Sequence, residues 1–254
     1  MDRDIWYLGD TSSDSAAAYL LGLISAAEWS YKYVPSDQQV ALADWDKPAS
    51  LYIFSDYPAA NLPTEAAERV IEHVERGAGL MMIGGWESFH GLGGDWDENP
   101  LARILPVEIG RADDRLNCDQ PLIVRHLAEH SVVEDLPWND RPPLIGGLNR
   151  VSPRPDATVL LEAIRFSGRW SDERYELERG DSWPLLVVGH QGKGRVATLM
   201  TDVAPHWVGP LVDWGTERVA ASAKGASEVE VGNLYAQFFW QLVGWTGNLD
   251  AAHV

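Results

Sequence analysis

Four acidic residues that are far apart in the sequence each follow the end of a predicted strand: Asp10, Asp56, Glu87 and Asp202. If those strands are parallel neighbours, the four carboxylates meet at one edge of the sheet, where ligands bind in open α/β folds. Carboxylates that are brought together can hold a hard cation or divide into a general acid and a general base. The structural alternative for each residue is a helix cap or a bond to turn amides.

His206 follows another strong predicted strand and can join the same edge. Its imidazole titrates near neutral pH, so it suits proton transfer or metal binding, whereas packing against Trp207 is the structural alternative. We therefore predict catalytic roles for His206, Glu87 and Asp202. We predict ligand contacts for six residues at this edge: Asp10, Asp56, Gly85, Trp86, Ser88 and Trp207. The sequence specifies neither a metal ion nor a cofactor.

Ser88 and Cys118 are further candidate nucleophiles, and neither has a supporting motif. Ser88 ends the sequence Gly-Gly-Trp-Glu-Ser, which is not the Gly-x-Ser-x-Gly of a hydrolase nucleophile elbow. Cys118 lies in no recognised cysteine motif, so we interpret it as an incidental thiol. Because it is the only cysteine in the chain, an internal disulfide is excluded.

The chain contains twelve tryptophans, which is more than a core of this size needs. Trp86, Trp96 and Trp207 lie near the predicted site and could form a stacking surface for a sugar or another flat ligand. Most of the others are predicted to lie in the core or in a subunit interface. We therefore expect a homo-oligomer, with a dimer favoured.

The predicted site depends on a central strand at residues 80–83 that ends in Gly84-Gly85. We expect these two glycines to permit positive φ and to let the chain turn sharply. A helix precedes the strand and is predicted to end at Gly77. Its buried face follows from the helical spacing of four apolar residues: Ala67, Val70, Ile71 and Val74.

Strands and helices alternate in the first part of the chain, with strands predicted at residues 5–8, 31–34 and 51–54. This order indicates a parallel sheet with right-handed crossovers. Later strands are predicted at three positions: residues 158–161, 185–188 and 196–200. A tight hairpin joins the last two, so that end of the sheet is expected to be antiparallel.

The remaining segments complete the predicted architecture. Residues 106–154 are expected to form loops and short strands packed on the sheet, residues 215–232 a mobile excursion, and residues 233–245 a final helix. The prediction is one α/β domain, residues 1–254, with a three-layer sandwich of flavodoxin-like type. Its sheet is expected to be mostly parallel with an antiparallel extension.

Composition and charge exclude several partners. The formal net charge of −18 argues against unassisted binding to nucleic acid or to an anionic membrane. No apolar run approaches the roughly 20 residues of a membrane-spanning helix. Residues 1–4 lack the basic region and apolar stretch of a signal peptide, so we predict a cytoplasmic protein.

Two stretches resemble a known family: LMMIGGWESF at residues 80–89, and the segment from Pro184 to Trp207. With the order of elements, they are similar to the glutamine amidotransferase-like family of the class I glutamine amidotransferase-like superfamily, near the ThuA-like proteins. The resemblance covers nearly the whole chain. In active superfamily members, a cysteine on the turn after the central strand attacks the glutamine amide. A histidine acts as base, and a glutamate two residues later orients it.

The resemblance also implies that this catalytic triad is incomplete. Trp86, or Gly85 if the alignment shifts by one, stands at the cysteine position. His206 matches the histidine, whereas Val208 occupies the position of the glutamate. Residues 55–58 replace the Gly-Gly loop that usually forms the oxyanion hole. Neither an indole nor a glycine can form a thioester, so we do not expect glutaminase activity by the usual route.

Three function hypotheses follow. The first is a protein that binds a small polar ligand, a sugar or a polyol, at the strand carboxyl ends. The second is a hydrolase or isomerase that uses His206 with Glu87 or Asp202 as acid and base, in a metal-free or metal-assisted form. The third is an assembly protein whose exposed tryptophans form a homo-oligomeric interface. Carboxylates within about 4–6 Å of His206 would favour the enzyme, and an aromatic patch away from the strand ends would favour assembly.

Overall fold

The computed structural model describes residues 4–250. Residues 1–3, which carry most of the sequence argument against a signal peptide, lie outside that range, as do residues 251–254. The described chain is a three-layer α/β sandwich built on one nine-stranded sheet. Within it, no helix is both long enough and apolar enough to cross a membrane.

The first half of the described chain contains these elements: β1 Ile5–Gly9, α1 Ala17–Ala26, β2 Tyr31–Val34, β3 Leu51–Ser55, α2 Thr64–Glu75, β4 Gly79–Ile83, β5 Val107–Glu108 and β6 Arg115–His126. The second half contains these: β7 Leu144–Asn149, β8 Ser152–Pro153, β9 Thr158–Ser171, β10 Arg174–Gln191, β11 Gly194–Leu199, α3 Pro205–Val208, β12 Arg218–Ala221, β13 Val229–Gly232 and α4 Asn233–Gly247.

The main sheet has the strand order β2-β1-β3-β4-β11-β10-β9-β6-β7. Neighbouring strands are parallel from β2 to β11 and antiparallel from β11 to β7. Every residue of β1, β3 and β4 is buried, as expected for parallel strands that are covered on both faces. The predicted parallel sheet with an antiparallel extension is confirmed. The flavodoxin-like detail and the single-domain boundary stay predictions.

Helix α2 buries the face that its sequence predicts, and α4 packs on the main sheet. Helix α2 begins after Pro63 and buries one apolar face, including Val70 and Val74. Helices α1 and α4 pack against each other, and α4 also contacts β3, β4 and β11. Helix α1 has Ala16 at its N-cap and no side-chain cap.

Three expectations about the chain after residue 105 are wrong. In each case the structure depends on pairing between distant strands, which the local sequence does not show. Within residues 106–154, β6 and β7 join the main sheet as its outermost strands. Strands β9 and β10 are 14 and 18 residues long, far longer than predicted. Residues 215–232 contain the β12–β13 hairpin, which contacts α1.

Close backbone packing explains the glycine pair after β4. Neither Gly84 nor Gly85 has a positive φ, so that expectation is wrong. A Cβ on Gly84 would lie 2.1 Å from the carbonyl oxygen of Met200, and one on Gly85 would lie 2.5 Å from Asp56 Oδ1. The two positions therefore exclude a side chain because neighbouring chain segments occupy the space.

We predict that Gly84→Ala lowers the free energy of unfolding by about 1–3 kcal/mol or more, because the methyl group must displace the backbone of a neighbouring segment. Urea denaturation measures the change. The matched control is Gly110→Ala, where an added Cβ meets nothing within 4 Å. Equal unfolding midpoints for the two variants would show that the close approach imposes no constraint.

Candidate functional site

The structure brings the four predicted acidic residues together at the carboxyl edge of the parallel strands. Asp10 and Asp56 follow β1 and β3, and each has a φ of 52°. The carboxylate of Asp56 accepts the Glu87 backbone N–H at 2.5 Å. The charge of Asp202 raises the pKa values of both Asp10 and Asp56. We call Asp10, Asp56, Glu87, Asp202 and His206 the edge cluster.

Asp10 is the most perturbed carboxyl group of the edge cluster. Burial, followed by the negative charges of Asp202 and Asp56, raises its pKa to about 8. The Tyr7 hydroxyl donates a hydrogen bond to Asp10 Oδ2 at 3.0 Å and opposes the increase, as does the charge of His206. The Asp10 carboxyl group is therefore mostly protonated at neutral pH.

Asp56 differs from Asp10 because a backbone amide stabilises its ionised form. Burial raises its pKa to about 6, while the Glu87 backbone N–H opposes that change. Its own backbone N–H donates to Ser88 Oγ at 3.0 Å. The Asp56 carboxylate also lies over Gly85, in the space that a side chain at position 85 would need. At neutral pH Asp56 is mainly ionised.

Asp202 and His206 form a close pair. Asp202 is 1% exposed, and its Oδ1 accepts the backbone N–H groups of Val203 and Ala204. Its Oδ2 lies 2.5 Å from His206 Nε2. Contact with the Asp202 carboxylate raises the pKa of His206, with smaller contributions from the charges of Asp56 and Asp10. Since 52% of the His206 side chain is exposed, this imidazole remains accessible to a ligand.

The remaining predicted ligand contacts separate into accessible and buried groups. Trp86 is 47% exposed, and the Arg115 guanidinium lies 4.5 Å from its ring centroid, a cation–π contact. Glu87 is half-buried, which raises its pKa. Ser88 is buried, and its Oγ accepts the Asp56 backbone N–H, so it supports the loop.

Two of the three tryptophans in the expected stacking surface are buried. Trp207 packs on Gly147, and its Nε1 donates to Asn117 at 2.7 Å. Trp96 is fully buried, and its Nε1 donates to the Tyr57 carbonyl. The prediction of a three-tryptophan surface is therefore wrong, because packing into the interior satisfies both indole N–H groups. Trp86 alone presents an indole at this edge.

Sequence reasoning missed the amide and carboxylate that fix the glycine turn. Asn149 Oδ1 accepts the Gly85 N–H at 3.0 Å, and its Nδ2 donates to the Gly85 carbonyl and to Asp114 Oδ1. Asp114 in turn accepts the backbone N–H groups of His90 and Gly91. Both residues lie in the region expected to be irregular, where no motif distinguishes them. The contact between the Tyr7 hydroxyl and Asp10 was also missed, although Tyr7 precedes Asp10 by only three residues.

The described residues show no metal-ligand group at the edge cluster, and a sizeable cavity lies elsewhere. Across residues 4–250, no group of three or more His, Cys, Asp or Glu side chains is arranged to hold a metal ion. A cavity of about 710 Å³ lies along α4, between Arg195 and Trp240, and none of its lining residues belongs to the cluster. Cys118 lies on β6, and burial raises the pKa of its thiol.

The chain belongs to a family of glutamine amidotransferase-like proteins. Residues 42–219, more than half of the sequence, match the family model described as "Putative glutamine amidotransferase". No curated relative matches the sequence.

Solved structures of low sequence identity share the fold. Two Salmonella typhimurium proteins described as cytoplasmic are 20% and 21% identical, with TM-scores of 0.71 and 0.73. Each match covers 96% of this chain, and 98% and 99% of those chains respectively. A ThuA-like protein from Parabacteroides merdae is 14% identical, with a TM-score of 0.58, and the match covers 97% of this chain and 90% of that one.

The resemblance predicts Trp86 or Gly85 at the cysteine position, His206 at the histidine position and Val208 at the glutamate position of a Cys-His-Glu arrangement, and these correspondences stay predictions. Val208, at the predicted glutamate position, is fully buried and apolar, and Asp202 contacts the imidazole instead. At the predicted cysteine position, Trp86 projects toward Arg115, while the Asp56 carboxylate covers Gly85. Neither Gly85 nor Trp86 carries a thiol.

We predict that Asp202→Asn lowers the pKa of His206, because the variant removes the carboxylate that stabilises the imidazolium. A proton NMR titration of the imidazole signals follows the shift, and His206→Gln identifies the signal. His126, whose Nε2 contacts the Ala128 carbonyl instead of an acid, provides an internal control. An unchanged His206 titration would contradict the assignment of Asp202 as its partner.

Proposed function

We propose that the edge cluster binds a small neutral polar ligand of the sugar or polyol type. This proposal rests on one observation: clustered carboxyl groups and a half-exposed indole, that of Trp86, lie on the same edge of the sheet. Carboxylates accept hydrogen bonds from ligand hydroxyls, and the apolar face of a sugar ring stacks on an aromatic side chain. The local negative charge and the net charge of −18 disfavour anionic ligands.

Acid–base chemistry on the bound ligand, by a hydrolase or isomerase, is the second candidate. It is favoured by the 2.5 Å contact between His206 Nε2 and Asp202 Oδ2. The pKa of Asp10 is about 8 and that of Asp56 is about 6. At neutral pH Asp10 is therefore suited to donate a proton and Asp56 to accept one. Glu87 is an alternative base. These roles need only side chains of this chain.

Glutamine hydrolysis is not part of this proposal. Covalent catalysis needs a nucleophile that can form and release an acyl intermediate. Neither Gly85 nor Trp86 offers one, and Asp56 occupies the space over Gly85. We also propose that residues 1–254 act as one domain in the cytoplasm, which the description of the two Salmonella proteins supports.

Calorimetric titration with D-glucose, D-galactose, sorbitol and myo-inositol tests the proposal. We predict saturable binding of at least one of them to the wild-type protein. Trp86→Ala should weaken it by about fivefold, the equivalent of about 1 kcal/mol of lost stacking. Asp56→Asn should weaken it as well, because an amide accepts a hydroxyl hydrogen bond less strongly than a carboxylate.

The matched control is Trp170→Ala, which truncates another exposed indole, one whose ring contact is with Tyr175, and it should leave binding unchanged. Absence of saturable heat with all four compounds would contradict the sugar or polyol proposal. Binding that is equally sensitive to Trp86→Ala and Trp170→Ala would contradict the proposed location.

A further inference from the structure

Strands β9 and β10 form a projecting two-stranded arm, residues 165–180. Strand β9 pairs with β6 as far as Ile164, and beyond it the described chain provides only β10 as a partner. On β10, Leu186 pairs with Leu199 at the carboxyl end of β11, so the preceding residues extend past that edge of the sheet. At roughly 3.3 Å per residue, the arm projects about 20–25 Å to its tip at Asp172.

One face of the arm is apolar and exposed. Trp170 pairs with Tyr175 across the two strands, and their rings are 4.8 Å apart. Leu177 lies on the same face, opposite Gly168. The exposed fractions are 60% for Trp170, 75% for Tyr175 and 66% for Leu177. These three side chains are the most exposed large apolar groups of the described chain, and they are contiguous.

The opposite face of the arm is polar and contains ion pairs within the arm. Arg169 and Arg174 both pair with Glu176, at 3.0 and 3.4 Å. Strand side chains alternate between the two faces, so this ribbon is amphipathic. A two-stranded ribbon on its own is only marginally stable in water. Covering the apolar face would remove the exposed patch and hold the arm in place.

The charge of the arm indicates what covers it. The arm carries four arginines and four acidic residues, so its net charge is zero, whereas the whole chain carries −18. Two copies of such an acidic chain repel each other wherever their bodies approach. The neutral arm is a surface at which they can meet without that repulsion. The arm projects about 20–25 Å, which exceeds the Debye length of about 8 Å at physiological salt. At that separation the negative charges on the two bodies are largely screened from each other.

We propose that the arm docks face to face on the arm of a second copy of this chain. A two-fold axis makes the same patch complementary to itself, so Trp170, Tyr175 and Leu177 of both copies pack together. With about 150–250 Å² buried for each aromatic side chain, the two arms bury on the order of 1,000 Å². That area is near the lower limit for a specific interface, so the dimer should dissociate at micromolar concentrations.

Sedimentation velocity of the full chain between about 1 and 100 µM, at about 0.15 M salt, tests the proposal. We expect a concentration-dependent dimer for the wild type. The double variant Trp170→Lys/Leu177→Lys and the single variant Tyr175→Lys should be monomeric over the same range. The control is Leu127→Lys, an exposed leucine outside the arm, which should remain dimeric. Circular dichroism confirms that each variant is folded.

Three results would overturn the proposal. A wild type that is monomeric at 100 µM would show that a second copy does not cover the arm and would leave its apolar face to a different protein. Dimers that persist in folded arm variants would place the interface elsewhere. Loss of the dimer in the Leu127→Lys control as well would show that the interface is not confined to the arm. These readouts are independent of sugar binding at the edge cluster.

Discussion

The close packing over the Gly84-Gly85 turn is the constraint on which the rest of the site depends. Strand β4 lies between β3 and β11, so its last residues separate the loops that carry Asp56 and Asp202. Because neither glycine has a side chain, the Met200 carbonyl and the Asp56 carboxylate approach the turn directly. The same approach fills the space over the turn, so the glycine pair and the position of the Asp56 carboxylate belong to one packing arrangement.

Burying several carboxyl groups side by side has an electrostatic consequence. The first charge raises the cost of the second, so the pKa values separate. Asp10 has the higher value, and Asp56, which accepts a backbone N–H, has the lower one. His206 lies beside Asp202, where a positive charge partly offsets the acidic neighbours. The cluster thereby combines protonated and ionised oxygens at neutral pH, a mixture that suits hydroxyl-bearing ligands and proton transfer.

The sequence predicted the parallel half of the fold and the convergence of the acids, because both follow from local patterns. Buried runs such as β4 and the helical spacing of α2 identify the elements, and parallel strands necessarily place their carboxyl ends together. What local patterns do not encode is contact between distant segments. The Asn149 bridge to Gly85, the burial of Trp207 and the arm all depend on pairing in the antiparallel extension. No periodic pattern and no motif in the sequence predicts those contacts.

The pH dependence of stability in an Asp10→Asn variant tests the buried, coupled cluster most directly. The folded-state pKa of Asp10, about 8, is above that of an unfolded carboxyl group. The folded state therefore retains a proton that the unfolded state releases, and this group lowers stability as pH rises toward 8. Asparagine does not ionise, so the variant's advantage over wild type in urea unfolding should grow between pH 5.5 and 8, by about 1–3 kcal/mol. The exposed Asp140→Asn should show no such growth. A constant difference between Asp10→Asn and wild type at both pH values would contradict the account.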